Sequence, residues 1–295
     1  MYLLRRLSRL LLAVTLAAFA VFLFINRSGV DIRGPVIHTD GALLEVSVND
    51  TEDILLEGVT ARDSSDGDVT DSVEVENIST FYSDKKRLVT YVAFDSDNHV
   101  ARATRELKYT DYESPKFILS EPLQYLPGAV NLKVSAVDAL DGDITSAIKL
   151  VTDDAITTDQ PGKYPATFQV SNSAGDVSSL PVTIEIVERV QGAPQILLTS
   201  YLDYIPVGAQ FDPLSYIDSA VIGSRQYPVE QGAGNFNKED RARDEEVVVG
   251  TDMIAVSSGV DTSSPGTYQV EYSITVNMGQ DETVTSHTVL YVVVR

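Results

Sequence analysis

The chain has 295 residues, 43% of them hydrophobic, with three His, no Cys and no Trp. That length suggests two or three domains with packed cores, and the missing Cys excludes disulfides, Cys–zinc sites and lipid attachment through an N-terminal Cys. The net charge is −21 at pH 7, a surface that repels a phosphate backbone, so nucleic acid is not an expected partner.

The N-terminus differs from the rest. Residues 1–27 hold Arg5, Arg6, Arg9 and Arg27 and no acid, which leaves 18 basic residues against all 43 acidic ones. Residues 10–25 are uncharged and span about 24 Å as a helix, a little short of a ~30 Å hydrocarbon core. Arg9 extends the span if it snorkels to the headgroups. Basic residues precede the apolar run, so the positive-inside rule puts the N-terminus in the cytoplasm and the acidic bulk outside. A cleaved signal peptide is the rival reading, but the small-x-small site Ala18-Phe19-Ala20 lies inside the apolar run. Residues 1–30 are therefore read as a basic tip and a signal-anchor helix. The expected localisation is the cell membrane, single-pass, with the remainder extracellular.

Three segments then open alike, "GPVIHT", "SPKFIL" and "APQILL", with Pro35, Pro115 and Pro194 spaced 80 and 79 residues apart. Proline before an apolar run suits the start of an edge strand, where no ladder donor is needed. The repeats bound three domains, 34–112, 113–190 and 193–295. "TDYES" and "ERVQGA" read as short polar linkers that hold neighbours in an extended string.

Each repeat is a series of short β-rich runs, such as "VTYVAF", "YPATFQV" and "TYQVEYSITV". Several alternate apolar with polar, the pattern of a sheet with one wet face. Six or seven strands in roughly 80 residues predict a β-sandwich. Repeats two and three share Pro-Gly-x-Tyr, ending at Tyr164 and Tyr268, then a strand, then a turn at Gly175 or Gly279. The two tyrosines are read as tyrosine corners, whose hydroxyls bond nearby backbone. Repeat one has "DKKR" there instead, and Asn98 where repeat two has Gly175.

One motif stands out as a candidate site. "DSSDGDVTD" and "DALDGDITS" both read D-x-x-D-G-D-[V/I]-T, 75 residues apart. Asp63, Asp66 and Asp68, and likewise Asp138, Asp141 and Asp143, place three carboxylates within six residues around Gly67 or Gly142. The first reading is a structural turn, because Asp side chains bond backbone amides two residues on. The second is an independent weak calcium site in each repeat, since calcium takes six to eight hard oxygens. The spacing is not that of an EF-hand. No other cofactor is expected. A second acid pair, Asp95 and Asp97 in "FDSDNH", is read as a hairpin cap. His38, His99 and His287 are read as surface or sheet residues.

These motifs carry a resemblance. A-x-D-x-x-D-G-D-[I/V]-T, then Pro-Gly-x-Tyr, then an aromatic strand closing on a Gly turn, is similar to bacterial immunoglobulin-like repeats first described in a pesticidal crystal toxin and widespread in surface proteins of Gram-positive bacteria. Repeat two matches best, through "AVDALDGDIT", "PGKY" and "SNSAGD". Repeat one matches at "ARDSSDGDVT" and "FDSDNH", and repeat three at "VDTSSPGTYQVEYSI". Repeat three departs in its first half, where "SYIDSAV" replaces the acidic turn and a polar insertion, 223–250, follows. The resemblance implies an all-β chain of three tandem Ig-like sandwiches behind one transmembrane helix. It also implies spacer or adhesive work, and no particular ligand.

No G-x-S-x-G, H-E-x-x-H or phosphate-loop motif occurs, and the chain is read as no enzyme. The insertion is the expected contact surface for a protein or cell-wall polymer, since long loops tend to carry function. Its "QGAGN" reads as flexible and its "NKEDRARDEE" as a short helix. A carbohydrate-binding module and a subunit of an envelope assembly remain as alternatives.

Overall fold

The computed structural model describes residues 2–28, 33–83, 85–152, 156–188, 190, 193–236, 246–277 and 283–295. Gly279 and most of "NKEDRARDEE" lie outside the described residues. The chain divides into two compact units, Met1–Tyr112 and Glu113–Arg295.

A helix runs from Tyr2 to Ser28 without a break, about 40 Å at 1.5 Å per residue. Its stretch Arg5–Phe24 has a mean hydropathy of 2.3 and is nowhere buried by protein. By length and composition it is able to cross a membrane. Two of its hydroxyls bond within the helix: Thr15 Oγ1 donates to the carbonyl of Leu11 at 2.8 Å and Ser8 Oγ to that of Arg5 at 3.2 Å. That suits a lipid surround, which offers polar groups no partner.

Apart from the one-turn α-helix Glu52–Leu55 and four short 3-10 turns, Thr70–Ser72, Thr145–Ala147, Pro213–Tyr216 and Thr251–Met253, the described elements that follow are β, in three pairs of sheets. Repeat one pairs a sheet of Val36–Thr39, Val59–Asp63 and Gly67–Asp68 with one of Leu44–Val46, Val100–Tyr109, Lys86–Phe94 and Glu74–Ile78. Repeat two copies this with Lys116–Leu119, Val134–Asp138 and Gly142–Asp143 against Gln124–Tyr125, Val177–Ile186, Gly162–Ser171 and Lys149–Val151. Repeat three follows with Gln195–Leu198, Ile217–Ile222, Arg225–Glu230 and Val249–Gly250 against Leu202–Ile205, Thr283–Val294, Gly266–Asn277 and Ile254–Ser258. In each, the chain crosses between sheets early and pairs its second strand parallel to its last. The all-β, sandwich-like fold behind an N-terminal helix is as the sequence predicts.

Alternation explains which faces are buried. In Val59–Asp63, Val59, Ala61 and Asp63 point inward and the residues between them outward. In Gly266–Asn277, Val270, Tyr272, Ile274 and Val276 are fully buried. Each such side chain contributes roughly 1.5–3 kcal/mol by leaving water.

Two expectations change. The segment "TDYES" is no free linker: Tyr112 is buried, 4.8 Å from the Phe81 ring, and Asp111 accepts the amide of Val48 at 2.8 Å. In the second unit, repeats two and three share one continuous hydrophobic core, from Phe117, Phe168 and Leu180 to Tyr201, Tyr272 and Leu290. Within this unit the two sandwiches are packed together rather than strung apart.

Candidate functional site

The six motif aspartates fall in two turns built alike. Asp63 and Asp138 end their strands and face inward. Asp63 Oδ1 accepts the amides of Ser65 and Asp66 at 2.7 and 3.0 Å. Asp138 Oδ1 accepts those of Leu140 and Asp141 at 2.9 and 3.1 Å. Gly67 and Gly142 then take φ of 81° and 71°, a left-handed conformation that a side chain disfavours.

The next aspartate of each motif reaches across to the facing hairpin. Asp66 accepts Ser96 through its amide at 2.8 Å and its hydroxyl at 2.9 Å. Asp141 accepts Ser173 in the same two ways, at 2.5 and 2.7 Å. The third accepts the amide two residues on, at the first residue of a 3-10 turn: Asp68 Oδ1 takes the Thr70 amide at 3.0 Å and Asp143 Oδ1 that of Thr145 at 2.9 Å. Hydrogen bonds from these threonines, side chain first and then backbone, hold the Asp68 and Asp143 carboxyls below the ordinary value. The threonine hydroxyls in turn accept the amides of Ala61 and Ala136, both at 3.1 Å.

Carboxylates in this geometry clamp a turn to the opposite sheet. Among the described residues no three His, Cys, Asp or Glu side chains converge as a metal-holding group. Asp95 does cap its hairpin, accepting the His99 amide at 2.8 Å, and Asn98 adopts φ 63° where Gly175 has 79°. His38 sits exposed on an edge strand, His99 pairs with Asp95 and His287 with Glu185.

The tyrosine corners are in place. Tyr164 donates to the carbonyl of Gln160 at 3.0 Å and Tyr268 to that of Ser264 at 2.9 Å. Two buried tyrosines escape a local reading: Tyr91 donates to the Leu55 carbonyl at 2.6 Å and Tyr272 to that of Pro213 at 2.7 Å.

Two segments of the repeat-three insertion, Arg225–Glu230 and Val249–Gly250, are strands of the sheet. Gly223, at φ 65°, turns a hairpin that pairs Arg225–Glu230 with Ile217–Ile222. Arg225–Glu230 then pairs parallel with Val249–Gly250. "QGAGN" is pinned, not free. Asn235 Oδ1 accepts the Val248 amide at 2.7 Å and Asn235 Nδ2 donates to the Glu246 carbonyl at 2.7 Å. Gly234 donates its amide to Asp252 at 2.8 Å. The glycines serve close approach here: a Cβ on Gly250 meets the Gly234 amide, and one on Gly234 meets the Gly250 amide. Only residues 237–245 of the insertion lie outside the described residues.

The junction of repeats two and three carries polar ties that the motifs do not announce. His287 Nε2 lies 2.7 Å from Glu185 Oε2, Gln124 donates to the same carboxylate at 2.9 Å, and Lys163 is 3.8 Å away. Burial, the largest single influence, raises the Glu185 carboxyl, but the hydrogen bonds from Gln124 and His287 together with the His287 and Lys163 charges hold it below its ordinary value. Tyr204 accepts the Phe117 amide at 2.9 Å, with the Arg295 guanidinium 4.6 Å from its ring.

No family model matches the chain. It is 26% identical over 232 residues to the pesticidal crystal protein Cry22Aa of Bacillus thuringiensis, covering 76% of this chain and 28% of that protein. It is 30% identical over 124 residues to an uncharacterized 81.3 kDa protein of Acholeplasma phage L2, covering 42% of this chain and 16% of that one. The chain thus spans less than a third of either relative. Among solved structures, it is 23% identical to the CBM51-2 and INT domains of Clostridium perfringens ZmpB, solved with GlcNAc, with a TM-score of 0.21 over 50% of this chain and 26% of that one. It is 13% identical to the protocadherin GammaB4 extracellular domain, with a TM-score of 0.19 over 90% of this chain and 50% of that one. The chain is therefore similar, at low identity, to part of a Bacillus crystal protein.

Proposed function

We propose that this chain is a non-catalytic, membrane-anchored bacterial protein whose Ig-like repeats act outside the cell as a spacer and an adhesion or interaction module. The helix Tyr2–Ser28 serves as an uncleaved anchor with its basic end in the cytoplasm. Repeat three makes the contact, with a partner protein or a wall polymer. The observation that carries the reading is the shared core of repeats two and three. A spacer needs a junction that does not bend freely, and a continuous core with hydrogen bonds across it supplies one. The insertion, folded back onto the sheet of repeat three, gives that repeat a surface the others lack.

The test is site-specific photocrosslinking in intact cells, with the crosslinker placed in turn at residues 237–245 and, as a control, at the exposed Val177 of repeat two. Adducts from the insertion and none from the control support the reading. Equal adducts, or none from the insertion, contradict it.

A surface hollow favours a second reading, carbohydrate binding. Gln210, Phe211, Asp212, Tyr216, Val260 and Thr262 line it, and the Phe211 and Tyr216 rings lie 5.7 Å apart. Aromatic faces beside polar groups suit a sugar ring. Glycan-array binding that Phe211→Ala removes distinguishes it from the spacer.

A further inference from the structure

The aspartates of the two acidic turns make matching bonds except at one place. Asp138 Oδ2 accepts Nδ2 of Asn172 at 3.1 Å. Asn172 is oriented by its own Oδ1, which accepts the amide of Asp176, four residues on, at 2.9 Å. In repeat one Asp95 occupies the place of Asn172. It follows the strand Lys86–Phe94 as Asn172 follows Gly162–Ser171, and its Oδ1 accepts the amide of His99, also four residues on.

An aspartate has no amide hydrogen to give. Asp63 Oδ2, the counterpart of Asp138 Oδ2, is buried and has no hydrogen-bond partner. Asp63 is 8% exposed and the Asp95 side chain 2%. His99 Nδ1 lies 2.8 Å from Asp95 Oδ2, which serves Asp95 and leaves Asp63 unserved. A buried carboxylate oxygen without a donor is costly. Repeat two resolves this with an amide. A cation bound at the same point would resolve it in repeat one.

We propose that repeat one binds a calcium ion between Asp63 and Asp95, at the point that the Asn172 amide fills in repeat two. The donors are oxygens, which suits a hard cation. The ion draws on Asp63 Oδ2, which has no other partner, and on the remaining lone pairs of Asp95, whose two oxygens each accept one contact from His99. Two carboxylates, completed by water and turn carbonyls, make a weak site of the kind found in extracellular modules, with a dissociation constant of about 10⁻⁴–10⁻³ M. This inference is independent of the function proposed above.

Hydrogen exchange on the full chain in detergent tests it, comparing 2 mM calcium with chelator at pH 7 and constant ionic strength. Calcium is expected to slow exchange of the segments around Asp63 and Asp95 about three- to twentyfold, and to leave the matching segments of repeat two unchanged. Asp95→Asn, which installs the repeat-two solution, is expected to abolish the calcium effect and to protect the turn in chelator. The converse change, Asn172→Asp, is expected to give repeat two a calcium response. A wild type indifferent to calcium overturns the proposal. So does an Asp95→Asn variant that still responds. Protection that rises in chelator as pH falls from 7 to 5, without a calcium response, identifies a shared proton instead and also overturns it. Should Asp95→Asn fail to fold, Asn172→Asp decides, and its indifference to calcium counts against the site.

Discussion

The Tyr291 hydroxyl holds both backbone groups of Thr183, accepting its amide at 2.8 Å and donating to its carbonyl at 3.1 Å. The strand Gln124–Tyr125 pairs beside Val177–Ile186 only at Glu185 and Ile186. It gives out before Thr183, and Tyr291 from repeat three completes the edge. Replacing Tyr291 by Phe keeps the packing and removes both bonds. A fully buried backbone group left unsatisfied costs about 1–3 kcal/mol, and the half-buried Thr183 loses two bonds at once. We expect Tyr291→Phe to lower the urea stability of the second unit by at least about 1 kcal/mol and to speed exchange of the Thr183 amide. Unchanged stability means the junction does not rely on this bond.

Glu185 gives the junction a pH signature. Its folded carboxyl is held below the ordinary 4.5. The stability it contributes is therefore fully present above the unfolded value and is lost as pH falls through the folded one. In urea titrations, wild type is expected to lose stability faster than Glu185→Gln as pH drops below about 4.5. Parallel curves for the two proteins disprove the linkage.

The tyrosine corners act within their own repeats. Tyr164→Phe and Tyr268→Phe each remove one hydroxyl bond to a carbonyl four residues back. A loss of about 0.5–1.5 kcal/mol is expected for each, additive in the double variant within roughly 0.5 kcal/mol because the bonds share no partner. Strong non-additivity, read from chemical denaturation, argues against separate corners.

Gly250 and Gly234 let the base of the insertion close on itself. Gly250→Ala places a methyl group against the backbone of Gly232 and Gly234. Overpacking of this kind costs about 1–3 kcal/mol, and we expect faster proteolysis within 231–236. A variant as resistant as wild type shows that the two strands separate easily.

Local chemistry was legible in the sequence and distant chemistry was not. The acidic turns and the Pro-Gly-x-Tyr corners are readable because their bonds close within a few residues, as from Asp63 to Ser65 or Tyr268 to Ser264. The staple from Asp66 to Ser96 spans 30 residues, and only the comparison with Asp141 and Ser173 brings it out. Glu185 with His287, and Thr183 with Tyr291, lie 102 and 108 residues apart across two repeats. No periodicity links them, so an extended string was expected where the second unit has a packed pair. "QGAGN" misled for another reason: glycine permits both looseness and close approach, and here Gly234 and Gly250 serve the latter.

The absence of Cys makes the central claim directly measurable. Single cysteines in place of Tyr2, ahead of the apolar span, and of the exposed Ser257 are labelled in intact cells with a membrane-impermeant maleimide. An externally displayed, anchored repeat protein predicts labelling at 257 in intact cells, labelling at 2 only after permeabilisation, and both proteins in the membrane fraction. Labelling at 2 with protection at 257, or full-length protein free in the cytosol or medium, contradicts it.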